Sequence, residues 1–228
     1  MSILDRNTLR DAQTVDYVDS SAISGHKVLR NTYMLLSMTL LFSAIAAGVS
    51  IAFALPSMGI IVTLIGYFGL LFLTAKLRNS AWGIASVFAL TGFMGLTLGP
   101  IISRYLGMPG GSGIVMNAMG LTAVIFMGLS AYVLVSKRDF SFMGGFLAVG
   151  VLVAFVAGLG AMFFEIPALS IAVSAAFVLL MSGMILFETS NIIRGGETNY
   201  IMATVSLYIT IFNLFTSLLQ ILGFMEKE

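Results

Sequence analysis

Five polar side chains near the end of the sequence keep helical time with one another. Ser206, Thr210, Asn213, Ser217 and Gln220 recur at intervals of 4, 3, 4 and 3, which places all five on one face of a helix. Two chemistries suit such a row. The side chains can hydrogen-bond neighbouring helices, each contact contributing about 0.6 kcal/mol on average in a membrane, or they can wall a hydrated path. In either case the face must look at protein or water, because lipid offers no hydrogen-bond partner; the helix that carries it is therefore expected to be central. Glu188 is the second candidate. It precedes Arg194 by six residues, about 9 Å at 1.5 Å per residue, and a carboxyl at that depth of a membrane helix is a functional candidate by default. Asn191 follows one turn later, and Thr189 and Ser190 make the same end of the helix polar. The plainer alternative for Glu188 is a carboxylate that reaches the interface or pairs with Arg194.

Other chemistries find no residues. The chain has no cysteine and one histidine, His26, so thiol catalysis, disulfides and any site needing two histidines are excluded. Nucleophile elbows, His-Glu-x-x-His pairs and phosphate-binding lysine loops are missing from the sequence, and no catalytic role, cofactor or metal is expected. Pro109-Gly110-Gly111-Ser112-Gly113 reads as a turn, and the fifteen methionines read as pliable packing. Asp139 and Glu165 read as boundary charges. Gly92, Gly95 and Gly99, spaced three and four apart, share a face where a second helix can approach closely. Gly99-Pro100 is expected to bend that helix near one end.

The elements that position these residues follow from composition. Hydrophobic residues make up 59% of the 228 and charged residues 9%, against about a quarter charged in an ordinary soluble domain. So few charges cannot cover a water-exposed surface of this size, and a lipid bilayer takes the place of water. Seven stretches reach the length of a span: 32–55, 58–75, 81–103, 114–136, 140–164, 168–193 and 200–223. Their mixture of Ala, Gly, Leu and Met in long runs excludes barrel strands. The fold class is thus all-α, a polytopic membrane protein of seven transmembrane helices in one domain, residues 31–228, around a central seventh helix.

With the N-terminus in the cytoplasm, that side holds nine of the Lys and Arg residues, Arg6 to Arg194, and the other side holds two, Arg104 and Lys227. The bias sets the orientation, N-terminus inside and C-terminus outside. No short basic segment and apolar run open the chain, so the first span is expected to serve as an uncleaved anchor. Residues 1–30, with mixed charges such as Asp5, Arg6, Arg10 and Asp11, are expected to form a largely disordered cytoplasmic tail. It is either idle or a handle for a partner. No basic cluster points to nucleic acid.

Several local runs are familiar together. Leu186-Phe187-Glu188-Thr189, Asn199-Tyr200, Ser206-Leu207-Tyr208 and Asn213-Leu214-Phe215 join Gly92-Phe93, Gly99-Pro100 and Ala118-x-x-x-Thr122-Ala123-Val124-x-Phe126. This set resembles the signature of the Bax inhibitor-1 family. His26-Lys27-Val28-Leu29-Arg30-Asn31-Thr32-Tyr33 and the run from Glu188 to Tyr200 are similar to its bacterial YccA-like branch, across nearly the whole chain. The resemblance implies a bacterial inner-membrane protein that binds and restrains FtsH, a membrane-anchored ATP-dependent protease, together with the membrane proteins associated with it. It also implies a slow substrate gripped through residues 1–30. Other members are pH-sensitive calcium leaks built on two acidic residues in spans 6 and 7. The first position falls on Glu188, while the second falls on neutral Thr210, and no basic residue lies between Met58 and Ala75. A lone carboxylate cannot form the shared-proton pair that such a latch requires.

Overall fold

The computed structural model describes the backbone of residues 3–226 and the side chains of residues 27–226. Seven long helices follow one another: α1 (Ile3–Ala52), α2 (Ile60–Leu77), α3 (Trp82–Leu106), α4 (Gly111–Ser136), α5 (Gly144–Phe163), α6 (Pro167–Ile193) and α7 (Tyr200–Met225), with a 3-10 turn over Ser141–Met143 leading into α5. Each carries a stretch long and apolar enough to cross a bilayer, Lys27–Ala52 in the case of α1. The expectation for the tail, residues 1–30, falls mostly on side chains outside the described residues; the backbone of α1 begins at Ile3.

The ends of the helices follow local chemistry. Pro56 disfavours helix at the residue before it, and α1 ends at Ala52, a few residues sooner than the apolar run alone suggests. Gly110 takes the left-handed conformation that starts α4 (φ 67°). Pro167 occupies the first turn of α6, where its missing N–H costs nothing. Asn199 caps α7, its side chain accepting the N–H groups of Ile201 and Met202 at 3.0 and 3.1 Å. The same carboxamide donates to Arg78 O and Asn79 Oδ1 at 3.0 and 2.9 Å, which ties the α2–α3 turn to the start of α7.

Helix α7 is the axis of the bundle. It packs against α1, α3, α4 and α6, while α2 lies outside against α3 and α5 outside against α6. One buried cluster joins Leu35 and Leu36 of α1, Val87, Leu90 and Met94 of α3, and the first half of α7. A second joins Ile114, Val115 and Ala118 of α4, Met181 and Ile185 of α6, and Leu214 to Leu219 of α7. Tyr208, fully buried, holds three helices together: its hydroxyl pairs with Ser43 Oγ of α1 at 2.6 Å and donates to Thr91 O of α3 at 3.2 Å.

The α1–α3 seam is made by small residues. Gly92, Gly95 and Gly99 face α1: a Cβ at Gly92 would meet the Phe42 ring, one at Gly95 would meet Ser43, and one at Gly99 would meet Ser50. Close approach at Gly99 has a second use. Pro100 lies inside α3 and has no N–H to give Leu96 O, its partner four residues earlier. Ser50 Oγ donates to that carbonyl at 2.9 Å. The orphaned acceptor is thus satisfied from the neighbouring helix, and α3 continues to Leu106.

Candidate functional site

Glu188 stands on the inner face of α6, 6% exposed. It is held by α7: Thr210 Oγ1 lies 3.1 and 3.2 Å from the two carboxyl oxygens. A hydroxyl carries one proton, so this contact is shared between the oxygens. The helical pattern of α7 therefore aims position 210 at Glu188. The single carboxyl sits opposite a neutral donor. The Arg194 guanidinium lies elsewhere, 3.5 Å from Asp139; that is the one ion pair among the described residues, and Glu188 is not in it.

The neighbours of Glu188 are hydroxyls. Thr189 and Ser190 are buried with it. Thr189 lies 3.4 Å from the Tyr33 hydroxyl of α1 and 3.5 Å from Ser130 of α4, loose contacts that bring three helices to one point. Asn191 turns away. Its side chain lies over Gly196, where a Cβ would meet its Oδ1, and its carbonyl accepts the N–H of Gly196 at 2.9 Å. It belongs to the α6–α7 turn rather than to the Glu188 site.

The stripe on α7 is divided by its neighbours. Ser206 is exposed, Thr210 and Ser217 are buried, and Asn213 and Gln220 are half-buried. Asn213 donates back to Ile209 O of its own helix at 2.8 Å. Gln220 meets α6 again near its other end, donating to Ser170 Oγ and accepting from Ser174 Oγ, the latter at 2.9 Å. Gln220 and Ser170 also line a cavity of about 210 Å³ with Arg104, Tyr105 and Phe224. Ser170 and Ser174, four apart on α6, were a readable signal for a partner to Gln220; the bonds made by Tyr33 and Ser130 had none. Thr210 and Gln220 are ten residues apart, about 15 Å along the axis. Ile185, Leu214 and Leu219, all 0% exposed, pack within the cluster between them. The interval between the two polar groups is thus mostly apolar, with Asn213 and Ser217 of the stripe inside it. Among the described residues no three His, Cys, Asp or Glu side chains group closely enough to hold a metal ion.

A family model described as "Inhibitor of apoptosis-promoting Bax1" (Bax1-I) matches residues 25–227. The chain belongs to this Bax1-I family. Its relatives are similar along their whole length. An uncharacterised protein of Pseudomonas aeruginosa is 54% identical, the match covering 92% of this chain and 97% of that protein. The Escherichia coli protein named modulator of FtsH protease YccA is 54% identical over 92% of this chain and 95% of its own. A Pasteurella multocida protein is 49% identical over 87% of this chain and 90% of its own. Within the Bax1-I fold, Glu188 and Thr210 form the polar contact at the centre of the bundle.

Proposed function

We propose that this chain is a multi-pass protein of a bacterial inner membrane that modulates an FtsH-type membrane protease, as an inhibitor and slow substrate. The observation that carries the reading is the 54% identity to the Escherichia coli modulator of FtsH protease, across 92% of this chain. The name "inner membrane protein" borne by an equally similar relative supports the location. The lopsided Lys and Arg count supports an N-terminus in the cytoplasm and a C-terminus in the periplasm. Residues 1–30 are then available to the protease and to its associated membrane proteins.

The bundle offers a physical reason for slow turnover. A pull on the tail passes directly into α1. That helix is the one seated on the glycine seam of α3, bonded to Leu96 O through Ser50 and to Tyr208 of the central helix through Ser43. Extraction must break these contacts before anything else leaves the membrane, so the protease stays occupied. Raising the abundance of this chain severalfold should lengthen the half-life of another membrane substrate of the protease in a pulse-chase. An unchanged half-life would contradict the reading.

A second reading, an ion leak, is favoured by one observation: a carboxyl buried at the centre of a membrane bundle against a polar face of α7. It predicts proton or calcium flux in liposomes between about pH 5 and 8, altered by Glu188→Gln. The apolar cluster between Thr210 and Gln220 weighs against it, and flux no greater than that of empty liposomes would remove it.

A further inference from the structure

A separate group of side chains gathers beyond Glu188, at the end of the bundle that carries most of the basic residues. Helix α4 stops at Ser136 because Lys137 takes a left-handed conformation (φ 52°), with its N–H still bonded to Val133 O. The turn that follows is pinned to α6. Ser190, 1% exposed, accepts the N–H of Phe140 at 3.1 Å and donates to Arg138 O at 3.4 Å. Arg194 donates to Lys137 O at 2.8 Å and lies 3.5 Å from Asp139. Asp139 also takes the N–H and the hydroxyl of Ser141.

These bonds fix where two more cations stand. Lys137 and Arg138 make no ion pair among the described residues. With Arg194 they rim a cavity of about 150 Å³ whose remaining walls are Val133, Ser190 and Ile193. Three basic residues thus line one small space whose walls are mostly carbon, their own stems included, and Asp139 beside it is already engaged by Arg194.

We propose that this cavity binds the headgroup phosphate of an anionic phospholipid, with Lys137 and Arg138 on the phosphate and the glycerol and first methylenes against Val133 and Ile193. The order of polarity matches that of a lipid: apolar walls formed by two membrane-spanning helices, cations at the rim where those helices end. Arginine suits a phosphate through its planar fork, and lysine adds a compact charge. Basic pockets between spanning helices have this use on the cytoplasmic side of membranes. Size separates the lipid from an acidic protein segment. A space of about 150 Å³ takes a phosphate group but not a folded segment of chain. Orientation alone requires charge in the loop, not a cavity pinned by a buried serine.

The test is native mass spectrometry of the full-length chain released from nanodiscs of equal phosphatidylglycerol and phosphatidylethanolamine. Wild type should retain one phosphatidylglycerol in preference. The K137Q/R138Q pair should lower that retention about thirtyfold, near 1 kcal/mol being typical of each basic residue at such a surface. K76Q/R78Q, which removes the same charge from the α2–α3 turn, should leave it unchanged. Arg138→Gln alone should reduce it severalfold, which guards against a double variant that inserts wrongly. Millimolar inorganic phosphate should not displace the lipid. Equal loss in both double variants would reduce the effect to general surface charge and overturn the site. So would displacement by free phosphate, or lipid retention unchanged in every variant while recovery of a protein partner falls.

Discussion

Among single residues, Glu188 is the one whose surroundings carry the most consequence. Its buried carboxyl takes a hydrogen bond from Thr210 of α7, so Thr210→Val should lower stability in detergent by about 1–3 kcal/mol, the cost of weakening a buried polar group's satisfaction. Thr210→Ser should restore most of the loss, and thermal unfolding of the three proteins reads both effects. Asp139 belongs to the loop. The Ser141 hydroxyl and N–H, and then Arg194, hold its carboxyl below the ordinary 3.8. A depressed value means that the interaction is complete above the ordinary carboxylate value and is lost as pH falls through the folded one. The Asp139–Arg194 pair should therefore persist through neutral and mildly acid pH and open only below about pH 3.8. Ser141→Ala should move the carboxyl titration, followed by NMR, upwards. The inward face of α7 was legible in the sequence because a stripe of period 3.5 fixes one face of a helix; that positions 188 and 210 correspond was only what the family resemblance implied. Which neighbour each member meets was not legible. The stripe meets α6 at Thr210 and Gln220, Asn213 bonds its own helix, and Asn191 is taken by the turn at Gly196, outcomes set by packing rather than by spacing.

At the scale of elements, the count of seven spans and their approximate ends came from apolar length and from prolines, glycines and charges between the runs. The glycine face of α3 was also visible, but its partner was not, since nothing local says that α1 lies there. The link between Ser50 and Leu96 O was wholly hidden. Pro100 announces an orphaned carbonyl, yet the donor comes from a residue 46 positions away from that carbonyl. Ser50→Ala should destabilise the bundle by about 1–3 kcal/mol. Gly95→Ala forces a methyl against Ser43 and should cost about the same, as overpacking does. Because both changes loosen α1, they should also shorten the lifetime of this chain in cells that contain the protease, and leave it unchanged where the protease is inactive. A variant that melts earlier but is degraded no faster would separate stability from extraction and count against the α1 mechanism.

On the scale of the whole molecule, residues 1–30, the proposed cytoplasmic tail, lead into the helical bundle. The bundle is built around α7, the outer faces of α2 and α5 are apolar, and an apolar cluster fills most of the interval from Gln220 to Glu188. Such a molecule is better suited to being held than to conducting. The central claim is association with an FtsH-type protease, and the most direct measurement is its recovery from detergent-solubilised membranes on tagged full-length chain and on a chain lacking residues 1–30. The account predicts that full-length chain recovers the protease, and that removing residues 1–30 lengthens the chain's own lifetime. Recovery with neither form, from membranes shown to contain the protease, would contradict it.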